Sequence, residues 1–122
     1  MTRIVRLTTM PDFTPRPGQA APDRLIEGDP RFQTWELDQA LPLNAGWTKI
    51  QTGVWEATPG VTRSLKGEAF EYCHILSGHC RIAEDGGDSH DFVAGDSFLL
   101  KPGFEGVWTT LETVRKIYVF AS

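Results

Sequence analysis

Four side chains that can bind a polar ligand or move a proton lie on two alternating stretches of the sequence. Glu71 and Cys73 are two residues apart, and so are Lys116 and Tyr118. Side chains alternate between the two faces of a strand, so each pair shares one face. With both faces inward, Glu71 is a candidate catalytic base and Lys116 or Tyr118 a candidate acid beside it. Cys73 is a candidate ligand contact, although an inward cysteine is most often a small core residue.

Aromatic side chains indicate a second kind of contact. Trp55, Tyr72, Trp108 and Tyr118 belong to segments rich in aromatic and branched residues. Such rings can line the mouth of a barrel and stack against a flat ligand. The alternative is that they pack in the core or at a dimer interface.

The elements that must position these residues are short strands. The 12 glycines and 8 prolines are spread through 122 residues, an excess that disfavours helices. Turn residues separate about nine short apolar or alternating segments, which favours a sandwich or barrel. The predicted strands are 32–37, 50–57, 61–66, 69–76, 80–83, 91–93, 97–100, 106–110 and 114–121.

Two turns are predicted inside this series. Ser77-Gly78 predicts a tight turn that places Ile75 opposite Cys80, with both side chains inward. The segment Glu84-Asp85-Gly86-Gly87 predicts a hairpin.

The first part of the chain has a different composition. Thr8–Pro30 contains five prolines, which exclude a helix or a central strand. We interpret it as an extended arm on the protein surface, with a disordered tail as the alternative. The sequence therefore divides into an N-terminal arm, 1–30, and an all-β barrel, 31–122.

Composition also excludes several partners. The net charge is −4 and no basic cluster occurs, which argues against nucleic acid. The longest apolar run, Ile117–Ala121, is too short to cross a membrane. Met1–Met10 has no apolar segment of the kind found in secretory signals. Two cysteines without such a signal predict a cytoplasmic protein.

One spacing resembles a known family. Six residues separate Glu71 from Gly78, and sixteen residues separate Gly78 from Gly95-Asp96, which precedes a strand that ends at Lys101-Pro102-Gly103. These segments resemble the two motifs of the cupin superfamily. Further segments resemble the small cupins related to ureidoglycine aminohydrolase and to the ethanolamine-utilisation cupin; they are 53–60, 103–108 and 113–118. The resemblance implies a single small jelly-roll barrel with the extended arm attached, and a homodimer in which the arm or an edge strand covers an exposed edge.

The resemblance also implies where a metal would be held. Cupin enzymes usually bind a divalent ion with three histidines and one glutamate. Ser64, Lys66 and Gly106 stand at the three histidine positions, and only Glu71 is retained. We therefore expect no metal cofactor. A buried carboxylate needs a partner, so Lys66 or Lys116 is expected to face Glu71; the alternative is that Lys66 points to water.

The histidines do not restore the ligand set. His74 has the opposite parity to Glu71, His79 adjoins the predicted turn, and His90 follows a hairpin loop. We interpret all three as ordinary surface or half-buried residues.

Three functions remain open at this stage. The first is a small-molecule-binding cupin that holds a small polar metabolite. Its expected ligand-binding residues are Trp55, Ser64, Lys66, Tyr72, Cys73 and Trp108, beside Glu71, Lys116 and Tyr118. The second is a metabolite enzyme of aminohydrolase or isomerase type, with Glu71 as base and Lys116 or Tyr118 as acid. The third is a structural oligomerisation barrel.

Overall fold

The structure, a computed structural model, describes residues 3–44 and 46–122; residues 1 and 2 of the expected arm lie outside the described residues. The regular structure of the described part consists of antiparallel strands, so the predicted all-β class is confirmed. These residues include no helix that could cross a membrane. The strands are β1 (Arg16–Gln19), β2 (Leu25–Gly28), β3 (Arg31–Ala40), β4 (Ile50–Ala57), β5 (Gly60–Leu65), β6 (Phe70–Glu84), β7 (Ser89–Val93), β8 (Ser97–Leu100) and β9 (Glu105–Ala121).

Two long strands form the centre of the sheet. β6 and β9 pair from Phe70↔Ala121 to Glu84↔Gly106. On the far side of β9, β4 pairs with its second half and β5 with its first half. On the far side of β6, β8 pairs with its first half and β7 with its second half. The sheet therefore curls around β6 and β9 into the small jelly-roll barrel that the sequence predicts.

The predicted tight turn at Ser77-Gly78 is wrong. β6 continues through both residues, and its register against β9 shifts between Ile75 and Cys80. Gly78 has φ of 87°, and a Cβ there would collide with the carbonyl oxygen of Thr113. The dipeptide is thus part of an irregular, bulged segment, which uses the same glycine conformation as a turn. Ile75 and Cys80 are both fully buried, as expected. They are five positions apart in β6, so regular alternation would place them on opposite faces, and the irregular segment between them brings both side chains inward.

The predicted break between 106–110 and 114–121 is also wrong, because both segments belong to β9. The predicted hairpin at Glu84–Gly87 is confirmed. It joins β6 to β7, and the Gly87 N–H donates to the Glu84 carbonyl at 2.9 Å.

The arm contains two short strands at opposite ends of the sheet. β1 pairs with β3, and β2 pairs with β5. Proline lacks an N–H donor, which is why a proline-rich segment occupies edges and not the sheet interior. The chain between β1 and β2 consequently passes from one edge of the barrel to the other.

The core lies between the curled faces. Its buried residues are Ala57, Ile75, Cys80, Ile82, Leu100, Phe104, Trp108 and Val114. A row of contacting rings crosses this core, in the order Phe32, Trp55, Trp108, Phe98 and Phe92. The cysteines Cys73 and Cys80 are free and buried.

Candidate functional site

A buried carboxylate between two lysines forms the centre of the site. Glu71, near the start of β6, accepts a hydrogen bond from Lys66 Nζ on Oε1 at 2.8 Å. Lys116 Nζ donates to Oε2 of the same carboxylate at 2.7 Å. The expectation that a lysine faces Glu71 is confirmed for both lysines, and we call the group the Lys–Glu–Lys triad.

Local structure explains how the triad forms. The chain reverses after β5 in a turn in which the Ala69 N–H donates to the Lys66 carbonyl at 2.9 Å. This reversal brings Lys66 back beside Glu71, only five residues along the chain. Lys116 reaches the carboxylate from β9, where it lies between Ile75 of β6 and Trp55 of β4.

The triad is largely withdrawn from water. The side chains of Glu71, Lys66 and Lys116 are 8%, 14% and 6% exposed. Burial alone would raise the pKa of Glu71, but Lys116 and Lys66 outweigh burial and lower it from 4.5 to about 2. Burial opposes the charge of Lys116, yet the Glu71 carboxylate to which it donates holds its pKa above the usual value.

Two tryptophans enclose the Lys116 ammonium group. Its Nζ lies 4.3 Å from the ring centre of Trp55 and 4.5 Å from that of Trp108. The two rings meet edge to face at 5.4 Å. Trp108 also donates its indole N–H to Thr110 Oγ1 at 3.0 Å. Attraction between a cation and these ring faces helps to hold the charge of Lys116 in a site of low polarity.

The triad opens onto a cavity of about 460 Å³. Ser64, Trp55, Trp108 and Tyr118 line this cavity together with the triad, so the structure brings together most of the residues predicted from the sequence. Burial raises the pKa of the Tyr118 phenol, so it remains protonated at neutral pH and can donate a hydrogen bond.

Two predicted ligand contacts are not brought to the cavity. Tyr72 has the opposite parity to Glu71, lies on the other face of β6 and donates its hydroxyl to Ser97 at 3.0 Å. Cys73 is fully buried, and its thiol donates to Glu71 Oε2 at 3.3 Å. Cys73 therefore supports the triad without lining the cavity.

The three histidines contact residues outside the triad. His74 Nδ1 lies 2.6 Å from Ser97 Oγ, and His79 Nε2 lies 2.9 Å from Asp91. His90 is exposed and stacks on Phe92. In residues 3–44 and 46–122, no three His, Cys, Asp or Glu side chains come together as a metal-binding group.

The residues present do not fit the metal that the cupin resemblance implies. Both oxygens of Glu71 are bonded to ammonium groups, and a divalent cation there would be repelled by both. Gly106, at a histidine position, lies opposite Ser64 on β5. A Cβ on Gly106 would collide with the carbonyl oxygen of Ala83 and the ring of Phe104, so this position is closed to any side chain.

Sequence reasoning missed the contribution of the arm. Arg16, Gln19 and Arg24 line the same cavity as the triad, as does Arg63 of β5. Their placement depends on the pairing of β1 with β3 and of β2 with β5. No local pattern in the arm signals these long-range pairings.

The comparisons with known proteins agree with this fold. A family model described as the EutQ-like cupin domain matches residues 47–118. A DUF861-family protein of unknown function from Pseudomonas syringae pv. tomato DC3000 has a similar structure, with a TM-score of 0.76 and 24% identity over 93% of this chain and 46% of that one. No curated protein matches the sequence.

Two further solved structures are similar at lower scores. The EutQ protein of Clostridium difficile has a TM-score of 0.59 and 16% identity over 75% of this chain and 63% of that one. Ectoine synthase from P. lautus has a TM-score of 0.61 and 16% identity over 73% of this chain and 62% of that one. The chain spans less than two thirds of the length of each of these proteins, and identities this low concern the fold alone. The family model covers more than half of the chain and agrees with the barrel described above, so the chain belongs to the EutQ-like cupin family.

Proposed function

We propose that this chain is a small-molecule-binding cupin in which the Lys–Glu–Lys triad replaces the charge of the usual cupin metal. The proposal rests on one observation: Lys66 and Lys116 each donate a hydrogen bond to one oxygen of Glu71, at the inner wall of a cavity of about 460 Å³. A cavity of this size with a few convergent polar groups among aromatic rings is typical of small-ligand sites. Ser64 and Tyr118 add neutral hydrogen-bonding groups beside the triad.

The acid–base properties of the triad favour binding over catalysis. A general base works best when its pKa lies near the operating pH, and the pKa of Glu71 is about 2. Lys116 is held as a cation by a raised pKa and is a weak proton donor at neutral pH. These shifts suit fixed charges that recognise a ligand, and they suit proton transfer poorly.

A thermal-shift screen of polar metabolites tests the proposal, with the metal content of the purified protein measured in parallel. We expect at least one metabolite to stabilise the fold without being consumed, because a ligand that binds only the native state raises the melting temperature. Ser64→Trp fills the cavity and should abolish that shift. Ser89→Trp places the same side chain on an exposed position outside the cavity and should leave the shift unchanged.

Three results would contradict the proposal. The first is stoichiometric metal bound to the triad residues. The second is a stabilising ligand that binds the Ser64→Trp variant as tightly as the wild type. The third is turnover of the ligand that depends on Glu71, which would instead favour the enzyme hypothesis.

A further inference from the structure

The cavity beside the triad is strongly cationic. Its formally charged lining consists of five basic side chains and one acidic side chain, Glu71; the basic ones are Arg16, Arg24, Arg63, Lys66 and Lys116. The chain as a whole carries a net charge of −4. Positive charge is therefore concentrated at this cavity against the overall charge of the molecule.

Internal partners neutralise only part of that charge. Arg63 is paired with Asp85 through two hydrogen bonds of 2.8 Å. Glu71 balances one of its two lysines and leaves the triad with a surplus positive charge. The Arg24 side chain has only a 4.0 Å contact with Asp23, and no ion pair or hydrogen bond involves the Arg16 side chain within residues 3–44 and 46–122.

The arm places these two arginines by anchoring itself on both sides of the cavity. Arg16 begins β1, which pairs with β3 at one edge. Arg24 lies in the turn before β2, where its N–H donates to the Ala21 carbonyl at 2.8 Å. Its own carbonyl accepts the Arg63 N–H at 2.7 Å, so the arm is fixed to β5 at the cavity wall. The arm is thus a built part of the cavity.

We infer that the ligand of this cavity is a small organic anion, a carboxylate on a planar apolar body, and that the arm supplies part of its recognition through Arg16 and Arg24. This inference rests on the proposed function and names the ligand class of the same site. Surplus positive charge around a cavity favours an anion, and guanidinium groups match the geometry of a carboxylate. The partly buried rings of Phe32 and Trp55 provide apolar surface for the rest of the ligand.

Three probes of equal shape and different charge test the inference: benzoate, benzamide and benzamidinium. Binding is followed by two-dimensional NMR of the indole N–H groups. Trp55 and Trp108 line the cavity, whereas Trp35 lies outside it and donates its indole N–H to the Phe13 carbonyl at 2.9 Å, so it serves as an internal reference. We expect benzoate to shift the Trp55 and Trp108 signals in a salt-sensitive manner. Benzamide should bind about tenfold more weakly, and benzamidinium should not bind.

Arm variants separate the arginines from the cavity as a whole. Arg16→Gln and Arg24→Gln should each weaken benzoate binding by about three- to tenfold, with little effect on benzamide. Arg6→Gln is the matched control, because Arg6 is an exposed arm arginine that does not line the cavity. Both arginines are on the surface of the arm, so the variants should fold normally.

The outcomes distinguish the inference from the proposed function. Benzamide or benzamidinium binding as tightly as benzoate would overturn the anionic ligand class and leave a small-molecule cavity in place. Unchanged benzoate binding in both arm variants would overturn the role of the arm. Failure of all three probes, together with an empty metabolite screen, would overturn the inference and the proposed function alike.

Discussion

Replacing Lys116 by methionine tests whether the triad holds Glu71 in its charged form. Methionine has a similar length and no charge, so the change removes the ammonium group from Oε2 and leaves only Lys66 on Oε1. Burial is the largest influence on the Glu71 pKa and acts to raise it. We expect the pKa in Lys116→Met to rise from about 2 to its usual 4.5 or above.

The magnitude follows from the pKa of Glu71. A fall from 4.5 to about 2 corresponds to about 3 kcal/mol of stabilisation, at about 1.4 kcal/mol per pKa unit. Removing one partner of a buried ion pair costs about 3–5 kcal/mol, because the remaining charge is left without compensation. Lys116→Met should therefore lower the free energy of unfolding at pH 7 by about 3 kcal/mol. Lys66→Met should cost less, since the Lys66 side chain is 14% exposed against 6% for Lys116.

Two measurements check this prediction: NMR titration of the Glu71 side-chain carboxyl carbon, and urea unfolding at pH 7. Lys101→Met is the control, because Lys101 is exposed and lies outside the cavity. A Glu71 pKa that stays near 2 in Lys116→Met would refute the electrostatic reasoning. So would a loss of stability no larger than that of the control. Should Lys116→Met fail to fold, Lys66→Met gives the same test at smaller amplitude.

Four further predictions concern the same structure. The folded-state pKa of Glu71 lies below its unfolded value, so its contribution to stability is present above pH 4.5 and is lost as the pH falls through about 2. The free energy of unfolding should drop by about 3 kcal/mol over that pH range. Glu71→Gln should remove this part of the pH dependence in urea titrations. Burial is the main cause that raises the pKa of Cys73 to about 12 and of Cys80 to about 11, so a thiol reagent should modify neither until the protein unfolds; rapid labelling of the native protein would contradict this. Gly78→Ala should cost about 3 kcal/mol in urea unfolding and Gly86→Ala about 1 kcal/mol, because both have positive φ but only Gly78 lacks space for a Cβ; equal losses would mean that the contact with Thr113 has no effect. A chelator should leave the melting temperature unchanged, since the charge of Glu71 is balanced by lysines; a chelator-induced fall that added metal reverses would show that a metal supports the fold.

The fold was predictable because its strands leave strong local signals. The glycine and proline positions predicted an all-β chain and the hairpin at Glu84–Gly87, and the structure has both, although two pairs of predicted short strands are joined in β6 and β9. The error at Ser77-Gly78 has a physical cause. A positive-φ glycine in a tight turn and one in a bulged strand look the same in sequence, and only the continuous pairing of β6 with β9 distinguishes them.

The site was predictable where the alternation of side chains along a strand decided which residues face inward. An inward carboxylate needs a cation, so a lysine partner of Glu71 was expected, and the structure shows that Lys66 and Lys116 both take that place. Tyr72 was placed at the cavity by residue type, although its parity puts it on the opposite face of β6. Arg16 and Arg24 depend on edge pairings more than ten residues away along the chain, which a single sequence does not reveal.

The proposed function implies that the triad changes how a cupin cavity recognises a ligand. A metal ion with an open position binds a ligand atom directly by coordination. In this chain the charge is supplied by ammonium groups, each of which keeps N–H donors beyond the one used on Glu71. Recognition must then operate through charge and hydrogen bonds, which are weaker individually and fade with salt. Additional cations therefore have to share the task, which is the role inferred above for the arginines that the arm brings to the same cavity.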